Sequence, residues 1–288
     1  MESISNINWF PGHMTKTRRY IEKTLPLVDL VVEVADARVV RSSQNPDFDR
    51  LMGRKPRIAV LTKTDLADEA VNRAWARYFQ EQGREVLFMN CVRGQGVGDL
   101  LPLARRILSP VIDRVAEKGM KKTIRLMICG IPNSGKSTLI NTLCGRRVAE
   151  AQDRPGVTRG GQWVRLQSDV ELLDTPGILW NKFDEERVGM HLAMTGAIND
   201  RVFDREGLTL ALLAILKDRY PKELAERFKI NLNPEREPLQ IYEEICRKRG
   251  FLLRGGDFDY TRCAAVVLDE FRGGKIGRIS LEAPDVKF

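Results

Sequence analysis

Histidine is nearly missing from this 288-residue chain, which has only His13 and His191. A histidine-built metal centre cannot be assembled from two such residues, so any metal must be held by oxygen. The five cysteines, Cys91, Cys129, Cys144, Cys246 and Cys263, are odd in number, far apart and free of any C-x-x-C pair. That spacing excludes a zinc ribbon or dithiol redox motif and leaves reduced, mostly buried thiols as the expectation. Long apolar runs are lacking too. The longest, 208–216, is less than half of the roughly 20 residues that cross a bilayer, so no membrane association is expected. Residues 1–7 hold no basic segment leading into an apolar one, which makes a cytoplasmic protein the expectation. Internal repeats and low-complexity tracts are also absent.

The composition is that of a globular protein, 43% hydrophobic and 30% charged, with 47 Lys and Arg against 39 Asp and Glu for a net charge of +8. The length suits one large or two modest domains. Apolar runs bounded by turn residues predict strands at 27–35, 57–61, 85–90, 124–129, 162–166 and 170–173, with helical patterns at 68–82 and 100–117. Strands alternating with helices form a mostly parallel sheet with crossovers. An α/β domain over 1–178 follows, led by a flexible arm over 1–26. From 179 to 288 helical spacing recurs at 185–197, 208–217, 221–228, 239–249 and 260–272 without convincing strands, which predicts a separate all-helical domain.

Basic and acidic residues balance over 179–288, so the positive excess lies elsewhere. Arg105, Arg106, Arg114, Lys118, Lys121, Lys122 and Arg125 face only Asp113 and Glu117 within 100–125. Local clusters stand at Arg247, Lys248 and Arg249 and at Arg272, Lys275 and Arg278. Each is either a solvated helix end, where cations suit the dipole, or a surface for a phosphate-rich partner.

The strand at 124–129 runs into Gly130-Ile131-Pro132-Asn133-Ser134-Gly135-Lys136-Ser137 and then a helical pattern opening at Thr138. This is strand, G-x-x-x-x-G-K-S loop and helix in the order that cradles nucleotide phosphates. Backbone N–H groups of Ser134 and Gly135 converge on phosphate oxygens, Lys136 reaches the β and γ phosphates, and the Ser137 hydroxyl ligates Mg²⁺. Asp174-Thr175-Pro176-Gly177 ends the strand at 170–173 as D-x-x-G. Its Asp174 suits a water-bridged Mg²⁺, and the Gly177 N–H suits a γ-phosphate. Thr158, in the loop between these motifs, can complete the magnesium shell.

The base reader is less regular. Thr62-Lys63-Thr64-Asp65 follows the strand at 57–61 where N-K-x-D is usual. Asp65 can accept from both guanine N1 and the N2 amine, a donor pair that adenine lacks, while Lys63 lies along the base. Thr62 loses a carboxamide but keeps a hydroxyl able to bond neighbouring loops. Asn90 and Cys91, closing the strand at 85–90, are further candidates for the nucleotide pocket.

The motif order is base reader, phosphate loop, D-x-x-G, whereas an ordinary G protein has its base reader last. Joining the usual ends through 100–125 and cutting after D-x-x-G preserves the sheet, so the pattern is that of a circularly permuted GTPase. The cut feeds the γ-phosphate-sensing loop directly into the helical segment, where nucleotide state can reorient it.

With these motifs, the string Asn8-Trp9-Phe10-Pro11-Gly12-His13-Met14, the triplet Asp36-Ala37-Arg38 and Ser42-Ser43-Gln44-Asn45-Pro46 give the chain a close resemblance to the ribosome biogenesis GTPase A family over nearly its whole length. The resemblance implies slow GTP hydrolysis stimulated by a late precursor of the large ribosomal subunit, and a C-terminal helical domain contacting ribosomal RNA. It implies Mg²⁺ as cofactor, no DNA or membrane partner, and a monomer when free. Ile178 stands where many GTPases carry the glutamine that orients the attacking water. The resemblance makes His13 the candidate for that task, although His13 can equally cap the approach to the first strand. Asn133 matches the asparagine that helps hold K⁺ in potassium-activated relatives, or serves as a turn former after proline. Two other readings stay open, a GTP-gated RNA-binding module with little hydrolysis and a small-subunit assembly GTPase. The latter usually brings an N-terminal barrel or clustered zinc ligands.

Overall fold

The computed structural model describes residues 11–149, 162–175, 177, 179 and 185–285. Six strands form one sheet in the order β3-β2-β1-β4-β6-β5. They are β1 (Leu30–Asp36), β2 (Arg57–Thr62), β3 (Val86–Phe88), β4 (Ile124–Gly130), β5 (Gln162–Gln167) and β6 (Val170–Asp174). All pairings are parallel except the β5–β6 hairpin at one edge. β1, flanked by β2 and β4, is buried along its whole length, as its run of branched apolar residues requires of a central parallel strand.

The register decides where chemistry can happen. Asp36 pairs with Thr62, Val34 with Gly130, and Ile128 with Asp174. The base reader, the phosphate loop and D-x-x-G therefore leave the sheet at the same carboxyl edge, where ligands bind in open α/β sheets.

Helices α1 (Pro11–Thr24), α2 (Val40–Ser43), α3 (Asp47–Met52), α4 (Glu69–Glu81), α5 (Leu100–Ala116) and α6 (Lys136–Cys144) accompany the sheet. α4 begins at Asp68, whose carboxylate accepts from the N–H groups of Ala70 and Val71. α5 and α6 cover one face through Leu100, Leu103, Leu139 and Ile140, while α3 and the end of α1 cover the other with Phe48, Met52 and Ile21. The expected flexible arm is thus corrected from residue 11 onward: α1 is helical and anchored by the fully buried Ile21. Its crowd of basic residues hid the helical stripe in the sequence.

The helical part comprises α7 (Glu186–Met194), α8 (Arg205–Arg219), α9 (Pro221–Phe228), α10 (Pro238–Arg249) and α11 (Tyr260–Arg272). α10 opens with a Glu237–Gln240 capping box and closes at Gly250 in the left-handed region, as helix ends favour. Its apolar core includes Leu212, Leu216, Ile245, Val267 and Leu268, and it also takes in Val39 and Ile131 from the sheet half. The last stretch is not helical. Residues 276–282 run back over the sheet half, with Ile279 N–H donating to Leu66 O at 2.9 Å and Leu281 N–H to Arg38 O at 2.8 Å.

Two basic clusters of the sequence are largely consumed within the fold. Arg272 pairs with Asp200 at 2.7 Å and donates to the carbonyls of Ala193 and Met194. Arg278 donates to the carbonyls of Ala67 and Thr64 and pairs with Glu69. Arg249 lies 3.4 Å from Glu270, whereas Arg247 stacks over Phe258. In the connecting segment Arg105, Arg106 and Lys122 also pair, with Asp169, Glu85 and Asp29. The five cysteines are free, four of them buried.

Candidate nucleotide-binding site

The phosphate loop is held from three sides. From β2, Thr62 Oγ1 lies 2.6 Å from Ser134 O and 3.1 Å from Ala35 O. The hydroxyl expected to stand in for asparagine thus bonds the phosphate loop. Gly135 passes so close that a Cβ there would sit 3.2 Å from Thr62 Oγ1, and its φ of +91° favours glycine. From the base reader, Lys63 Nζ donates to Asn133 O at 2.6 Å and pairs with Asp36 at 3.0 Å. From the other side comes Gly177. A Cβ on it would meet Pro132 N and Cα at 2.8 and 2.9 Å, so only glycine allows D-x-x-G to lie against the loop.

Lys136 opens α6 behind Gly135, and its ammonium donates to Ile131 O at 2.6 Å. Burial lowers its pKa to about 8 although the nearby Asp174 opposes that shift. Burial likewise raises Asp174 to about 6 against the opposing charge of Lys136. Asp174 Oδ1 is buried with no partner among the described residues. The unpartnered Asp174 carboxylate oxygen and the half-buried Ser137 hydroxyl are both oxygen donors of the kind Mg²⁺ takes. Thr138 follows on α6, half-buried.

On the base side Asp65 is exposed. Asn90 and Cys91 are buried, and Asn90 Nδ2 lacks a partner among the described residues. Burial pushes the Cys91 thiol up to about 11, with the Asp65 carboxylate adding a smaller push. Cys91 O accepts from Thr142 of α6 at 2.8 Å, tying Cys91 to the phosphate-side helix.

Asn133, at φ +56°, donates through Nδ2 to Gly196 O at 2.6 Å, just past the end of α7. A cleft of about 710 Å³ bordered by Lys63, Asn133, Gly196, Asp200 and Arg272 lies between the two halves. Thr158 and Ile178 lie outside the described residues, as does the His13 side chain on the first turn of α1. Sequence reasoning gave no role to Asp36, Arg38 or Gly196. The signal for the first two was a pair of opposite charges, Asp36 and Arg38, at the end of a buried, mostly apolar strand, where burial demands partners.

A parallel sheet delivering G-x-x-x-x-G-K-S, D-x-x-G and a base reader to one edge, in this chain order, defines a circularly permuted P-loop GTPase. A family model described as 50S ribosome-binding GTPase matches residues 125–234. The ribosome biogenesis GTPase A of Bacillus licheniformis is 43% identical over 280 residues, covering 97% of this chain and 99% of that one. Its counterpart in Thermotoga maritima is 34% identical over 284 residues, covering 97% and 95%. Among solved structures, GNP-bound YlqF from T. maritima matches with a TM-score of 0.63 at 30% identity, covering 94% of this chain and 100% of that chain. The GDP-bound structure of TM YlqF gives 0.64, again at 30% identity, covering 92% and 99%. This chain belongs to the ribosome biogenesis GTPase A family and is a GTPase. Among the described residues no helix is long and apolar enough to cross a membrane.

Proposed function

We propose that this GTPase acts in assembly of the large ribosomal subunit, binding its precursor through ribosomal RNA in a nucleotide-dependent way in the cytoplasm, and hydrolysing GTP faster on the particle than alone. The observation that carries the nucleotide dependence is the bond from Asn133 of the phosphate loop to Gly196 of the helical part, which makes the loop and α7 one mechanical unit. The 50S ribosome-binding description of the matching model and the names of the relatives support the partner.

Mg²⁺ would supply neutralisation of the negative charge on the nucleotide phosphates. Around it Ser137, Thr158 and the unpartnered Asp174 oxygen would hold the ion, directly or through water. Lys136 gives up its bond to Ile131 O and turns its ammonium to the phosphates, regaining the charge stabilisation that burial removed. The backbone N–H groups of Ser134, Gly135 and Gly177 face the phosphate oxygens, Asp65 and Lys63 hold guanine, and Asn90 and Cys91 close that pocket. His13, brought in by docking, orients the attacking water that Ile178 cannot. Asn133 would help hold an activating K⁺ at the phosphate loop. Hydrolysis should then run faster in KCl than in NaCl of equal ionic strength, and Asn133→Ala should erase that difference while Mg²⁺ dependence persists.

Co-sedimentation with 50S precursor particles tests the whole reading. Association should be strong with a non-hydrolysable GTP analogue and weak with GDP. Equal pelleting in both states, or pelleting with 30S particles instead, would overturn it.

A further inference from the structure

Asp36 terminates the central strand with 2% of its surface exposed, yet four donors converge on it. Arg38 approaches Oδ1 with its own backbone N–H and Nε, each at 3.0 Å, and Oδ2 with a guanidinium nitrogen at 2.8 Å. Lys63 Nζ completes the set at 3.0 Å from Oδ2. Burial alone would push this carboxyl up, but the two cations overcome it and hold the group well below the usual carboxylate range. Asp36 is therefore a fixed negative charge at the floor of the base reader.

Each cation has a second attachment. Lys63, at φ +56°, is held in a backbone conformation that a lysine adopts at a cost, and its ammonium is shared between Asp36 and Asn133 O. Arg38, 1% exposed, directs its other terminal nitrogen away from the sheet to the last carbonyls of α11, 3.2 Å from Arg272 O and 3.4 Å from Phe271 O. Its guanidinium also lies 5.3 Å from the centre of the Phe271 ring. The Arg38 carbonyl accepts Leu281 N–H from the returning C-terminal stretch. The end of α11 is joined in turn to the end of α7, since Arg272 donates to Ala193 O and Met194 O.

We infer that Asp36 and Arg38 form a relay in which Asp36 positions Lys63 for guanine and Arg38 carries that setting to the C-terminal end of α11. Two routes then leave the nucleotide. The phosphates act through Asn133 on Gly196 at the end of α7, and the base acts through Lys63, Asp36 and Arg38 on α11 and residues 279–281. A fork–fork Arg38–Asp36 pair suits this task because its two parallel bonds fix orientation, which a point charge does not. The relay rests on the placement of guanine at Thr62 to Asp65.

Amide hydrogen exchange separates the two routes in the unmodified protein, because the reporting amides are hydrogen-bonded at both ends: Thr195, Gly196 and Ala197 after α7, and Gly273, Gly274, Lys275, Ile279 and Leu281 after α11. Saturating inorganic pyrophosphate, which fills the phosphate loop without a base, should slow exchange at 195–197 far more than at 273–281. Saturating GDP should slow exchange there and also at 273–281, by about tenfold. The relay is overturned if 273–281 respond equally to pyrophosphate, or stay silent with GDP bound. Failure of GDP to bind in calorimetry would instead remove the base pocket itself. Arg38→Lys gives a second check, since one ammonium cannot span Asp36 and both carbonyls. With saturating GDP its 273–275 response should vanish while 195–197 still respond. A full response in that variant also sinks the relay, and if the variant does not fold, the comparison of the two ligands stands on the unmodified chain.

Discussion

Asn72 Oδ1, Trp75 Nε1, Asn90 Nδ2 and Asp174 Oδ1 are buried side-chain atoms without a partner among the described residues, and all four belong to the sheet half. In the helical half, charges are spent on one another. Glu270 takes Arg227 at 2.6 Å and Arg249 at 3.4 Å, and Arg272 takes Asp200 at 2.7 Å. Buried polar groups in folded proteins are normally satisfied, so orphans mark a place where structure has been traded for binding. Two of the four, Asp174 at the end of β6 and Asn90 two residues past the end of β3, stand where a nucleotide and its cation can satisfy them. For the Asn72 and Trp75 atoms the structure offers no such ligand. The helical half instead closes Glu270, Arg227, Arg249, Arg272 and Asp200 on one another.

Mutation should expose this difference as a split between activity and stability. The largest effect is expected at His13 on α1. His13→Ala should lower particle-stimulated hydrolysis by about 10² to 10⁴-fold, with GTP binding intact in a filter assay. Normal turnover on the particle would leave His13 a structural role. Next, Asp65→Asn should weaken GTP binding by about 1.5 to 3 kcal/mol and shift preference toward xanthosine triphosphate, whose base offers an acceptor to the carboxamide. Calorimetry with both nucleotides reads this directly, and unchanged GTP affinity would remove Asp65 from the pocket.

The helical half should behave in the opposite way. Glu270→Ala strands Arg227 and Arg249 and should cost about 1 to 3 kcal/mol in chemical denaturation while GDP affinity stays within error. If nucleotide affinity falls with stability, the two halves are not separable in this sense.

The smallest effect is a proton. Lys136 in the nucleotide-free protein has a pKa lowered to about 8, so near that pH a sizeable fraction is neutral. Phosphates raise it again, and GDP binding at pH 8 should therefore take up roughly half a proton, with affinity falling as pH rises further. Calorimetry in buffers of differing ionisation enthalpy measures the uptake. Lys136→Arg should show none, because a guanidinium is charged throughout.

Much of this was legible in the chain. The strand at 124–129 followed by glycines, Lys136 and Ser137 carries its meaning locally, because the loop binds phosphate mostly with its own backbone. α9 and α11 fall where helical spacing put them, at Pro221–Phe228 and Tyr260–Arg272. Less visible was α1, whose lysines and arginines masked its anchoring face. Arg272 and Arg278 were misleading in another way, since a basic residue in sequence carries no sign of whether its partner is an external phosphate or an internal carbonyl.

The sequence by itself determined the chemistry of the site: which residues can cradle phosphate, accept from guanine and ligate a hard cation, and in what order they come along the chain. Those properties belong to side-chain types at short spacing. Only the tertiary structure decided that Thr62 hydrogen-bonds the phosphate loop, that Asn133 reaches Gly196, and that Arg38 closes on the end of α11. Such bonds join residues from 63 to 234 positions apart. Their partners are backbone carbonyls, present at every residue, so nothing in the letters distinguishes the carbonyl that is used from the others until folding brings it within 3 Å or so of a donor.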